Sequence, residues 1–106
     1  MATSKIESKA KGVVLATFTA NNQTKTFTEP LTNFSKVTVN AYVVDSGGEY
    51  LLNTVEFFPQ VHIPENVIVA FYDGTLRKFQ LRDLSTTQAT NNYFTGVNKA
   101  EVIGIK

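Results

Sequence analysis

The chain has 106 residues, ten of them basic and nine acidic, and contains no cysteine. That is the length of one domain. Its charge is too evenly balanced for a nucleic-acid-binding face, and disulfides and thiolate metal sites are excluded. No apolar run approaches the roughly 20 residues of a membrane helix, so membrane insertion is not expected. Val, Thr, Phe and Tyr are abundant, and these suit a pleated, half-buried surface.

Residues 1–11 are polar and basic without a sustained period, and read as a flexible N-terminal arm. No apolar stretch of signal-peptide length follows them, so a cleavable export signal is not expected. Residues 12–106 read as a single β-sandwich domain. In the first strand Val14, Ala16, Phe18 and Ala20 alternate with Val13, Leu15, Thr17 and Thr19. Asn21-Asn22-Gln23 then turns the chain into Lys25-Thr26-Phe27-Thr28, expected to be the hairpin partner of that strand, and Pro30 ends it.

Residues 35–44 carry the clearest strand pattern. Val37, Val39, Ala41 and Val43 form a buried face, with Lys36, Thr38, Asn40 and Tyr42 opposite, as in an antiparallel sheet with one wet side. Asp45-Ser46-Gly47-Gly48 is a turn in which Asp45 caps its own backbone. Residues 50–58 return as a strand that Pro59 stops. Residues 60–63, between two prolines, read as a short edge or crossing strand.

Residues 67–72, Asp73-Gly74 and residues 75–81 form the strongest hairpin signal. A two-residue turn would set Val69 and Phe71 on the face of Lys78 and Gln80. A three-residue loop with Gly74 in the left-handed region instead aligns Val67, Val69 and Phe71 with Phe79 and Leu81, and puts Arg77 nearest the tip. The second register is expected because it gives one apolar face. Residues 83–92 are polar and read as the longest loop, anchored by Leu84. Residues 93–97 and 100–105 close the chain as a hairpin about Asn98-Lys99. The whole predicts an all-β, antiparallel β-sandwich, jelly-roll-like, of seven to nine short strands.

No constellation points to catalysis. His62 is the single histidine, and it has neither a second histidine nor a cysteine to build a metal site with. No glycine-framed serine elbow is present. Asp45, Glu49, Asp73, Asp83 and Glu101 lie in or near turns, where acids mostly act as caps. The chain therefore reads as non-enzymatic, and no cofactor is expected. The candidate contact residues are Tyr42, Tyr72, Tyr93 and Arg77, because tyrosines on a sheet face or loop tip offer an apolar ring and a polar end to a partner. Cross-strand packing with Thr and Lys is the alternative role for the tyrosines.

Leu31-Thr32-Asn33-Phe34-Ser35-Lys36-Val37-Thr38-Val39 runs from a loop into a strand through an aromatic anchor. Together with Val61-His62-Ile63-Pro64 and the closing Glu101-Val102-Ile103-Gly104-Ile105-Lys106, it resembles the small β-sandwich modules of bacteriophage virions, tail-fibre tips and receptor-binding proteins especially. The resemblance covers roughly residues 31–106. It implies a virion structural or attachment protein that forms a homo-oligomer, a trimer above all, and meets a host-surface glycan or other virion proteins. Only a short arm precedes the domain where a fibre tip follows a long shaft, which equally suits a capsid decoration or another minor virion protein. The rival reading is a carbohydrate-binding module of a cellular protein, cytoplasmic or extracellular, working through its tyrosines. A small hydrolase centred on His62 is a third. Self-association has independent support. Leu51 and Val55 oppose Leu52 and Phe58, and Ile68 and Ala70 oppose Val69 and Phe71, so some strands are apolar on both faces while a sandwich buries only one. A neighbouring subunit would cover the second face, and the alternative cover within one chain is a barrel-like closure or the loop at 83–92.

Overall fold

The computed structural model describes residues 12–106, and the arm at 1–11 lies outside them. Eight strands follow in order: β1 Gly12–Phe18, β2 Thr24–Thr26, β3 Lys36–Asp45, β4 Gly48–Phe57, β5 Val67–Tyr72, β6 Leu76–Arg82, β7 Gln88–Thr95 and β8 Lys99–Ile105. They form two four-stranded sheets, β1-β8-β3-β4 (sheet A) and β2-β7-β6-β5 (sheet B), with every pairing antiparallel. This is a β-sandwich. The chain crosses between sheets from β1 to β2, β2 to β3, β4 to β5 and β7 to β8, whereas β3–β4, β5–β6 and β6–β7 each stay within one sheet.

The core forms where the inner faces meet. Val37, Val39 and Ala41 of β3, Val102 and Ala100 of β8, and Phe79 and Leu81 of β6 are all buried. Phe79 joins the layers, with its ring tilted against Phe18 at 5.7 Å and against Phe94 at 5.5 Å. Such contacts add to the roughly 1.5–3 kcal/mol that burying each large apolar side chain contributes. Leu31–Asn33 forms a single 3-10 turn, and the buried Leu31 and Phe34 lead the chain into β3. Phe34 lies flat over Gly104 of β8, where an added Cβ would meet the ring at 2.7 Å. Only glycine leaves room for that aromatic anchor.

Two expected turns take the expected form. Asp45 Oδ1 accepts from the Gly47 N–H at 2.7 Å in the β3–β4 turn. The β5–β6 hairpin has the three-residue loop Asp73-Gly74-Thr75, pairing Val67 with Leu81 and Val69 with Phe79, and Gly74 sits at φ +100°. Matching the apolar faces had fixed this register correctly, because a slip of one residue would turn Val67 and Val69 out of the core.

Other expectations are corrected. β2 is not the partner of β1; it pairs with β7 in the other sheet, and its exit is tied to β1 by the Thr28 N–H to the Leu15 carbonyl and the Thr28 hydroxyl to the Val14 carbonyl. Residues 60–63 form no strand. They follow a turn in which the Phe58 carbonyl accepts from the Val61 and His62 N–H groups.

The polar loop ends at Thr87, because residues 88–95 are β7. Asn91 disguised that strand: it is fully buried, with its amide bonded to the Gln23 N–H and the Ala20 carbonyl at 2.6 and 2.7 Å. β7 and β8 are no hairpin either. The link between them crosses the sandwich, held by the Asn98 side chain, which bonds both the N–H and the carbonyl of Val44.

Bulges break two alternations that looked regular. Between Val14 and Ala16 the register slips, so Leu15 is buried and Val14 faces out. In β4, Ala41 faces Asn53 while Tyr42 faces Leu51, leaving Leu52 as the extra residue. Leu51 and Val55 therefore do not share a face, since a bulge reverses the parity beyond it.

Candidate interaction surface

The four candidate residues do not converge. Tyr42 lies on the outer face of sheet A, half-buried, and donates to Glu101 Oε1 at 3.0 Å. Tyr72 ends β5 on the outer face of sheet B. Tyr93 enters β7 opposite Gln80, and its side chain lies outside the described residues. Arg77 faces Phe71 across β5–β6. Its Nε bonds Asp73 at 3.0 Å and its terminal nitrogen bonds the Gly96 carbonyl at 2.8 Å. Arg77 is thus committed to clamping the hairpin loop to the β7–β8 link.

Around Tyr42 the outer face of sheet A satisfies itself. Lys99 of β8 bridges Glu49 of β4 and Glu101 of its own strand, and its ammonium lies 5.5 Å from the Tyr42 ring centroid. Asn40 pairs with Thr54, and Lys36 with Glu56 at 3.3 Å. Burial, then the bond to Glu101, raises the Tyr42 pKa above 10.0. The bond to Glu49 is the main cause that raises Lys99 above 10.5. Each polar group here has a partner on a neighbouring strand, which makes the face a cross-strand lattice. A shallow concavity beside it is floored by Val14, Leu51, Ile103 and Ile105.

The opposite character appears along β5. Among the described residues, every exposed large apolar side chain except Val14 belongs to β4, β5, β6 or the β4–β5 link. Within β5 the alternation is sharp: Val69 is 1% exposed, whereas Ile68 is 49% and Tyr72 72% exposed. Leu76 is the cross-strand partner of Tyr72 and is also exposed. At the other end of the strand, Ile68 borders a groove of about 410 Å³ lined also by Phe58, Val61, His62 and Pro64. Val61 stands 86% exposed on its rim.

The strip thus has a knob, Tyr72 with Leu76, and a groove, separated by Ala70. Residues 67–72 carry no charge themselves, and Lys78 of β6 stands beside Ala70 on the same face. Its edge-side backbone is partly capped, since Asn53 of β4 donates to the Ala70 carbonyl at 2.7 Å.

The groove went unseen in the sequence because residues 60–63 read as a strand. The available signal was Phe58 and Val61 set among Pro59 and Pro64, where apolar side chains in a proline-bounded link have no strand to bury them. The unburied second face of β5, in contrast, was legible at Ile68 and Ala70. The loop at 83–87, once a candidate cover for such a face, lies at the sandwich end instead. Leu84 donates there to the Glu65 carbonyl, and the Leu31 N–H bonds the Thr86 carbonyl.

As for chemistry, His62 is exposed on the groove, and no three metal-binding side chains gather among the described residues. No helix among them is long and apolar enough to cross a membrane. No family model and no curated protein matches the chain.

Proposed function

We propose that the protein is a non-enzymatic structural or attachment component of a phage-type virion, which self-associates and presents its loops to a partner. The observation that carries this reading is the exposed apolar strip along β5, from the Phe58–Val61 groove to Tyr72 and Leu76. An exposed apolar surface of this extent marks a contact surface, and a virion component meets other chains by its nature. The resemblance over residues 31–106 supplies the virion setting.

The carbohydrate-binding reading has less support. Tyr42 is bonded to Glu101 and lies beside Lys99, so its ring is no free platform. Tyr72 stands beside Leu76, and the neighbouring Asp73 carboxylate is already bonded to Arg77. In virus particles purified from cells that carry the gene, mass spectrometry should find the chain at fixed stoichiometry to the other components. Its absence there, with retention of the isolated domain on a glycan array, would replace this reading with the carbohydrate-binding one.

A further inference from the structure

We propose that the residues before Gly12 form a strap across the outer face of sheet A, with Ile6 seated on its apolar floor. The inference does not depend on the virion reading. The seat is the concavity of about 560 Å³ floored by Val14, Ile103 and Ile105, with Tyr42, Glu49 and Glu101 along its far side. Val14 is the large apolar side chain left bare here, away from the strip on β4 to β6. The β5 strip lies on the other sheet, and the strap leaves it uncovered.

Three observations favour this segment over another occupant. The first is where the described chain begins. Gly12 itself lines the concavity, and it opens β1, an edge strand of sheet A. The preceding residues therefore set out from the rim of the seat. A short tether holds them there at an effective concentration on the order of millimolar, so a weak contact is enough to fill the site.

The second is reach. Gly12 is level with Ile105, and Tyr42 is level with Lys99, six residues back along β8. The far side is thus about 20 Å along the strands and about 10 Å across them. Eleven residues precede Gly12, and an extended chain of that length spans up to about 36 Å. Ile6 can overlie Ile103 and Ile105 while Lys5 goes on towards Glu101.

The third is charge. Residues 1–11 carry Lys5, Lys9 and Lys11 against Glu7 alone. On the outer face of sheet A, Lys36 and Glu56 pair with each other, whereas Glu49 and Glu101 share Lys99. One carboxylate charge is left over on the side of the concavity that the lysines of the strap would reach. Ile6 between Lys5 and Lys9 matches an apolar floor bordered by acids.

The absence of cysteine allows a single nitroxide to be placed by Ser4→Cys in the full chain. It should broaden the amide resonances of Glu101 and Tyr42 and spare Thr86. Thr86 is the control because the Leu31–Thr86 and Ser35–Ile105 backbone bonds place it at Gly12's end of the sandwich, within reach of a segment that has no seat. Adding Ile6→Glu, or Lys5→Glu with Lys9→Glu, should abolish the selective broadening. Equal broadening of Thr86 and Tyr42, no broadening at Glu101, or a pattern that Ile6→Glu leaves unchanged would overturn the proposal. In a mixture of nitroxide-bearing and isotope-bearing chains, the isotope-bearing copies should stay sharp at Glu101 and Tyr42. Broadening there would show the segment crossing to a second copy, and would overturn a strap within one chain.

Discussion

One side of the sandwich is closed and the other open. On the closed side β1 and β2 are joined by a short turn at Asn21-Asn22. The buried Asn91 amide holds both ends of that turn, and the Thr28 N–H reaches back to Leu15. On the open side β4 and β5 are joined by the long link 58–66, and the Asn53–Ala70 bond ties the two strands directly. Among the described residues, most of the exposed large apolar side chains lie on β4, β5 or the link between them. Buried polar groups on the closed side are paired within the chain, whereas apolar groups on the open side have no cover within it. The difference separates two roles: the closed side holds the fold together, and the open side is left for association.

The largest effect should come from breaking the closed side. Asn91→Ala leaves the Gln23 N–H and the Ala20 carbonyl without their buried partner, and should cost about 2 kcal/mol or more in urea unfolding. A loss below about 0.5 kcal/mol would show that the turn is held otherwise. At the tip of the open side, Gly74→Ala meets no atom but must adopt a φ of +100°. It should cost about 1 kcal/mol, through backbone strain alone. An unchanged midpoint would mean that the loop relaxes to another register.

Smaller still is the effect at the self-satisfied face of sheet A. Tyr42→Phe removes the bond to Glu101 and should cost about 1 kcal/mol or less at neutral pH. Tyr42 and Lys99 both have pKa values raised above 10.0 and 10.5, so the folded state holds their protons more tightly than the unfolded one. Their contribution is complete below about pH 10 and is lost as the pH rises through the folded values. The variant should therefore lose stability less steeply above pH 10 than the parent does, as followed by thermal unfolding across pH. An identical alkaline slope would detach Tyr42 from that loss. Smallest of all in stability is Ile68→Lys, expected to change unfolding by no more than about 0.5 kcal/mol when measured at dissociating dilution. A larger loss there would place Ile68 in the fold of the single chain.

How far this could be read in the sequence follows from what each feature depends on. The faces of β3 and the β5–β6 register were legible because they rest on local alternation and on matching apolar sets such as Val67, Val69, Phe79 and Leu81. The partition of strands into sheets was not. β1 pairs with β8 from the other end of the chain, and β2 with β7, and such pairings are decided by packing across the core rather than by neighbouring residues. Leu15 and Leu52 mark bulges that composition does not announce. β7 looked like a loop because the residue it buries between Ala89 and a bulge at Asn92 is an asparagine whose partners, Ala20 and Gln23, are some 70 residues away. Of the surface, the bare second face at Ile68 and Ala70 could be anticipated, but not the groove, which exists only once the link 58–66 folds against β5. The tyrosines were a poorer guide, since exposure on a strand pattern does not reveal that Tyr42 already has Glu101.

The most direct measurement is the mass of the unmodified protein by sedimentation equilibrium across a dilution series from high micromolar to nanomolar concentration. The expected result is an associated species at the concentrated end, dissociating on dilution, with Ile68→Glu monomeric throughout. A parent protein that stays strictly monomeric at high micromolar concentration would contradict the claim that the open side is built for association.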